Sequence, residues 1–294
     1  MEKAKVYFTK DISAEGLVKI YKAMGKELEG RVAVKLHSGE KGNQNYLRPE
    51  FVKPLIDLVH GTLVETNTAY EGMRNTTDRH IKLMKEHGWS EHFKVDILDG
   101  EGEDIVLDIP RGVKITKNLI GANTKNYDSM LVLSHFKGHP MGGYGGALKQ
   151  LSIGVASSRG KTNIHTAGKT SDVSAIWKNT ADQVDFLQSM ADAAGSVVDY
   201  FKGNMSFVSV LCNMSVDCDC CAVAEDPCMA DIGVLASLDP VAIDKAGIDL
   251  VYNSQDKGRD HLIERIESRQ GTKTIDFAAA QDYGTTDYEL INID

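Results

Sequence analysis

Between residues 134 and 165 the chain concentrates the side chains best suited to chemistry. The segment SHFKGHPMGGYGGALKQLSIGVASSRGK (134–161) carries His135, His139, Lys149 and a glycine group, Gly142, Gly143, Gly145 and Gly146, and His165 follows just beyond it. A lysine crowded by glycine backbone can clamp an anion, form a Schiff base or tether a group. Flanking histidines can coordinate a divalent metal as neutral imidazoles or shuttle protons near neutral pH. The glycine N–H groups leave room for a carboxylate, a phosphate or a cofactor, and the run 147–155 offers a helix start behind them. Residue identity excludes three motif readings. Phe136 stands where a zincin needs glutamate, Lys149 lies between Leu148 and Gln150 rather than in a Walker A loop, and position 148 is not the third glycine of a dinucleotide fingerprint. His135 and His139 are four apart, but Gly138 and Pro140 between and after them favour a loop over a helix face.

Sulfur forms the second concentration. Cys212, Cys218, Cys220, Cys221 and Cys228 are all the cysteines of the chain. An odd, tight cluster is a poor disulfide framework, so a bound metal or iron–sulfur cluster and a set of buried thiols are the two readings. The spacing lacks the ferredoxin run, and Cys218–Cys221 is a Cys-x-x-C pair with no second pair after it.

These groups need elements to position them. Strand-like runs at 5–9, 31–36, 62–66, 94–98, 129–134, 206–211 and 232–236 alternate with helical patterns at 13–27, 48–59, 78–87, 181–201, 241–252 and 260–269. Such alternation predicts an α/β fold, a mostly parallel sheet flanked by helices. Asp239-Pro240 reads as an N-cap followed by proline in the first turn. The polar stretch 157–174 reads as a long loop or insertion point. A single domain over 1–294 is the simplest organisation, with two lobes meeting near residue 170 as the alternative.

In parallel sheets, ligands collect beyond the carboxyl ends of the strands. Three strand-like runs exit into unusually polar segments: His37 to Asn43, Thr66 to Gly72 with Asn67, and Ser134 to Pro140. The expectation is that His37, Asn67, His135, His139, Lys149 and His165 converge on one edge. His139, Lys149 and His165 should line one pocket, with His37 and Asn67 forming the opposite wall.

Composition narrows the partners. The 294 residues carry a formal charge of −9, and no stretch shows dense Lys/Arg clustering, so nucleic acid is not the expected partner. No apolar run approaches the roughly 20 residues that a bilayer requires, so no membrane is expected either. The N-terminal residues show no signal core, which predicts a cytoplasmic, reducing location. A small anionic ligand is the expected partner, with a redox or cofactor-inserting protein as a further one.

The segments VKLHSGEKGN (34–43), ETNTAYEGMR (65–74), 134–161 and CDCCAVAEDPCMADIGVLASLDPVAIDKAGIDLV (218–251) resemble the DUF362 family, whose longer members are described as uncharacterised iron–sulfur centre proteins. Those relatives carry a ferredoxin-like cassette after the His165 region, whereas 166–180 contains no cysteine here. A shorter stretch is similar to the nickel-pincer lactate racemases: His139, Gly143-Tyr144-Gly145-Gly146, Lys149 and His165 follow in the same order, without that motif's serine. That resemblance implies an acid/base role for His139, a covalently tethered cofactor on Lys149 and nickel binding by His165. Two functions follow. One is an isomerase-, racemase- or oxidoreductase-like enzyme acting on a small anion, with His139, Lys149 and His135 catalytic, and Gly143, Gly145, Gly146, His37 and Asn67 binding a cofactor. The other is a metal or iron–sulfur carrier using the 212–228 thiols. In both, His165, Cys218, Cys220, Cys221 and Cys228 are the candidate ligands for a divalent transition metal or iron–sulfur cluster.

Overall fold

The computed structural model describes residues 3–294. In chain order the strands are β1 (Ala4–Thr9), β2 (Val32–Lys35), β3 (Thr62–Glu65), β4 (Val95–Ile97), β5 (Ile105–Asp108), β6 (Lys117–Ile120), β7 (Ser129–His135), β8 (Lys137–His139), β9 (Gly143–Gly145), β10 (Met205–Leu211), β11 (Gly233–Ser237) and β12 (Tyr288–Asn292). The α-helices are α1 (Ala14–Ala23), α2 (Pro49–Leu58), α3 (Thr77–Glu86), α4 (Trp89–His92), α5 (Ala147–Ser152), α6 (Ser158–His165), α7 (Gln183–Phe201), α8 (Pro240–Asn253), α9 (Arg259–Ser268) and α10 (Lys273–Ala280).

Eight strands form one sheet in the order β12-β1-β11-β10-β7-β2-β3-β4. Neighbours are parallel except where β11 runs against β1 and β10. This is the mostly parallel α/β architecture that the strand–helix alternation predicts, and strands from both sides of residue 170 share it. Alternate residues of β7 feed two apolar clusters on opposite faces. Met130 and Val132 pack with Leu148 and Leu151 of α5 and Ala191 of α7. Leu131 and Leu133 pack with Leu17 and Ile20 of α1 and Leu55 of α2. A strand covered on both faces has no wet side, which is why this segment reads as an unbroken apolar run.

Asp239 caps α8 as its sequence predicts, accepting from the backbone N–H groups of Val241 and Ala242 at 2.8 and 2.9 Å. The polar stretch from 157 is not a loop throughout: Ser157 caps α6, accepting from the Gly160 N–H at 3.1 Å. This helix buries Gly160, Lys161, Thr162 and Ile164, so its inner face is largely polar and shows no hydrophobic periodicity. The β8–β9 hairpin, the β5–β6 ribbon, α10 and β12 are likewise absent from the sequence pattern, each being short or only half-apolar.

Candidate functional site

The carboxyl ends of β2, β3, β7 and β10 open on one edge of the sheet, and a cavity of about 370 Å³ lies there. His37, His139, Lys149 and His165 line it, together with Cys220 and Cys221. Lys35, Glu65, Arg74 and Lys161 complete its polar side, and Met141, Ile153, Ile176, Trp177, Phe186 and Met190 its apolar side.

One wall is built on sulfur. Lys149, on α5, donates to Cys218 Sγ at 3.2 Å, and the Cys220 backbone N–H approaches the same sulfur at 3.4 Å. His139, at the end of β8, turns Nδ1 inward to accept from the N–H groups of Gly142 and Met141 at 2.8 and 3.1 Å. Its proton therefore sits on Nε2, which lies 3.9 Å from Cys220 Sγ. Burial opposes ionisation of Cys218, but the Cys220 hydrogen bond and the charges of Lys149 and Lys137 outweigh it and hold the thiol well below its ordinary range. The hydrogen bonds to Cys218 and Cys221 push Cys220 the other way, so the pair is one thiolate beside one thiol. Burial opposes the Lys149 charge too, yet the neighbouring sulfurs raise its pKa and keep it an ammonium. Burial and that ammonium push His139 down to about 4.

The facing wall is α6. Lys161 Nζ donates to Thr66 Oγ1 at 2.5 Å and to the Ala156 carbonyl at 2.6 Å. Among the described residues no carboxylate forms an ion pair with it, and burial pushes it down to about 7. One turn on, His165 Nδ1 donates to the Lys161 carbonyl at 2.7 Å, leaving Nε2 as an unprotonated acceptor. Its ring leans on Phe186, with centroids 4.9 Å apart, and forms a T-shaped pair with Trp177. Burial lowers it to about 4.

Between the walls lie two buried ion pairs from the β2 and β3 exits. Lys35 and Glu65, on adjacent parallel strands, meet at 2.7 Å, and Glu65 also accepts from the backbone and hydroxyl of Ser38. Arg74 spans Glu40 Oε2 and Tyr70 Oη, each at 3.0 Å, and His37 Nε2 at 3.1 Å. Burial and the Arg74 charge hold His37 well below its ordinary value.

Several expected site residues lie elsewhere. His135 is buried outside the cavity wall, with Nδ1 on Asp219 at 3.0 Å and Nε2 on the Cys212 carbonyl at 2.6 Å. Lys137 joins the same carboxylate at 2.6 Å, so Asp219 pairs with a buried ammonium and a buried imidazole and anchors the cysteine loop to β7 and β8. Asn67 does not face His37 across the cavity. It donates to Thr77 Oγ1 at 3.0 Å, and its backbone N–H donates to Asp99. The glycine turn already holds an anion from within the chain: Asp244 of α8 accepts from the N–H groups of Ala147 and Leu148 at 2.7 and 3.0 Å and from Tyr144 Oη. A Cβ on Gly146 would lie 2.4 Å from that carboxylate, so this glycine makes room for Asp244, not for a cofactor. Gly143, at φ +81, is needed for the tight β8–β9 turn against Gly271, while Gly145 packs over the stems of Lys137 and Lys149. Cys228 donates to the Met214 carbonyl, away from the other sulfurs. The ligand atoms that gather within 4.8 Å of one another are those of His139, Cys218 and Cys220.

Lys35, Glu65, Arg74, Lys161 and Asp219 are the residues that sequence patterns did not single out. A signal existed for two: Lys35 and Glu65 are charges closing otherwise apolar strands, a placement that demands a buried partner.

A sequence profile described as "Domain of unknown function (DUF362)" matches residues 32–249. No curated protein matches the chain. Among solved structures, the chain is similar to the lactate racemase apoprotein from Thermoanaerobacterium thermosaccharolyticum at 13% identity and a TM-score of 0.48, over 83% of this chain and 56% of that one. A Thermotoga maritima protein is similar at 10% identity and a TM-score of 0.44, over 91% of this chain and 58% of that one. The chain thus spans less than two thirds of the length of either.

Proposed function

The chain belongs to the DUF362 family, and we propose that it is an enzyme performing acid/base chemistry on a small organic anion that has an apolar body. The observation that carries this reading is His165: a half-buried imidazole whose Nε2 lone pair is left open, in a cavity lined by the cationic side chains of Lys35, Arg74 and Lys149 and the single carboxylate of Glu65. Lys149 and Arg74 supply positive charge for the anionic group. The apolar side, from Met141 to Met190, accepts the body. His165 Nε2 takes a proton, and His139 Nε2–H faces the interior as a donor.

The test is binding followed by exchange. A panel of small carboxylates is titrated against the protein, and each binder is incubated in deuterated water and followed by NMR for exchange of the hydrogen next to the carboxylate. Exchange that stops in His165→Gln, with the fold intact, supports the reading. Absence of any binder, or equal exchange in the variant, defeats it.

A second reading is a metal centre at His139, Cys218 and Cys220, supported by the gathering of their ligand atoms. It has a cost. A metal on His139 Nε2 needs the proton on Nδ1, where two backbone N–H groups now point. The cofactor implied by the lactate racemase resemblance meets a similar mixture. His165 suits a metal, with Nδ1–H anchored and Nε2 open, but the Lys149 amine that would carry the tether is the cationic partner of Cys218. Elemental analysis with intact mass on anaerobically purified protein separates the readings.

A further inference from the structure

We infer that Lys161 is a carbonyl-capturing amine, and that the substrate class of the cavity is a 2-oxo acid or aldehyde with a hydrocarbon side chain. This inference rests on the cavity reading above and names its substrate. Lys161 lines the cavity, is 7% exposed and has exactly two acceptors for its Nζ, Thr66 Oγ1 and the Ala156 carbonyl. Thr66 is itself fixed, donating to the Gly154 carbonyl at 2.9 Å. A neutral amine has two N–H bonds, and two acceptors satisfy both. An ammonium carries a third N–H, for which the described residues provide neither acceptor nor ion-pair partner. The remaining tetrahedral direction of the nitrogen is then a lone pair, the feature that a nucleophilic lysine requires.

The other lysines in the wall differ. Lys35 donates to Glu65 and Lys149 to Cys218, so each is held as a cation by an anion.

The step is a condensation without redox change. The Lys161 nitrogen bonds to the carbonyl carbon and gives a carbinolamine. The carbon–oxygen bond then breaks, and the oxygen leaves as water with the two hydrogens that the nitrogen carried, giving an imine. His165 Nε2, the open acceptor of the same wall, relays the proton from nitrogen to oxygen. The imine withdraws electrons from the neighbouring carbon, which makes its hydrogen easier for a base to remove.

The experiment uses 4-methyl-2-oxopentanoate as the probe, with sodium borohydride to reduce any imine to a stable secondary amine. Binding is first measured by calorimetry, and the reduced sample is then read by intact mass and peptide mapping. One adduct per chain on the Lys161 peptide, lost in Lys161→Arg, is the expected result. The wild-type peptide map decides the question even where the variant folds poorly. A probe that binds but is not trapped, or that is trapped on Lys149, overturns the imine and leaves the acid/base reading standing. A probe that does not bind overturns this substrate class, and the panel of other carboxylates then decides the reading beneath it.

Discussion

Two lysine–histidine pairs face one cavity, and they hold opposite states. Lys149 sits against the Cys218 thiolate and keeps its charge, whereas Lys161 meets a hydroxyl and a carbonyl and tends to lose it. His139 accepts on Nδ1 and presents an N–H, whereas His165 donates from Nδ1 and presents a lone pair. Identical residue types thus make one donor wall and one acceptor wall. The lesson is that neighbours assign the role: an anion within hydrogen-bond reach preserves a cation, and burial without one removes it.

The largest expected effect comes from breaking the support beneath the donor wall. Asp219→Ala leaves Lys137 as a buried cation without its carboxylate, removes the Nδ1 partner of His135 and frees the loop that carries Cys218 and Cys220. Removing one partner of a buried ion cluster costs about 3–5 kcal/mol. Denaturant unfolding measures it, and a loss below about 1 kcal/mol, the range of surface pairs, would show that the cluster is not the anchor described here.

Next in size is a pair of lysine variants with opposite pH behaviour. Lys149 has a raised pKa, so its stabilising contribution is complete below the ordinary lysine value and disappears as pH rises through the folded one. Lys149→Met is therefore destabilised throughout neutral pH, by about 1–3 kcal/mol, and its Cys218 thiol alkylates more slowly. Lys161 is the reverse: its pKa falls from 10.5 to about 7, so wild-type stability rises across that interval. Lys161→Met lacks this rise, and its advantage over the wild type is greatest near pH 7 and shrinks towards 10.5. Parallel urea titrations across this range test both signs, and the same slope in both variants would erase the distinction between the walls.

This contrast also marks how far the sequence could be read. The strand exits at His37 and His139 and the order His139, Lys149, His165 brought attention to the edge where the cavity lies, because parallel topology sends those ends to one side. Lys161 went unnoticed because its helix has a polar inner face and looks like a loop. The glycine turn looked like a ligand cradle because its internal anion, Asp244, lies 97 residues from the N–H group of Ala147 that it accepts from. Tautomers and charge states depend on contacts of this range, so residue spacing supplies candidates and long-range packing decides their chemistry.

In acid the two histidines behave alike despite their tautomers. Both fall from 6.5 to about 4 on folding, so the unfolded chain binds the extra protons. Their stability contribution is complete above pH 6.5 and is lost as pH falls towards 4, with a slope of up to about 1.4 kcal/mol per pH unit for each. His139→Gln and His165→Gln should each flatten this acid limb. Long-range ¹⁵N–¹H NMR of the wild type sharpens the comparison, with the proton expected on Nε2 of His139 and on Nδ1 of His165. The same tautomer at both sites would remove the donor–acceptor division.

The smallest effect concerns Trp177, which lies on the short 3₁₀ turn Val173–Lys178 and is 57% exposed. It packs against His165 in a T-shaped pair at a centroid distance of 6.4 Å, so it closes the acceptor wall from outside without belonging to the core. Substitution of an exposed side chain away from caps and ion pairs changes stability by about 0.5 kcal/mol or less. Ligand affinity should respond differently. An anion with an apolar body gains contact with the indole, and removing part of an apolar lining costs about 1 kcal/mol, roughly a fivefold loss of affinity. A short anion such as formate, held by the cations alone, does not reach the indole and gains nothing from it. Trp177→Ala is therefore expected to weaken long-chain carboxylates several-fold and to leave formate unchanged. Equal weakening of both would mean that the tryptophan orients the cationic wall and does not supply apolar surface, and the division of the cavity into a charged and an apolar side would fail with it.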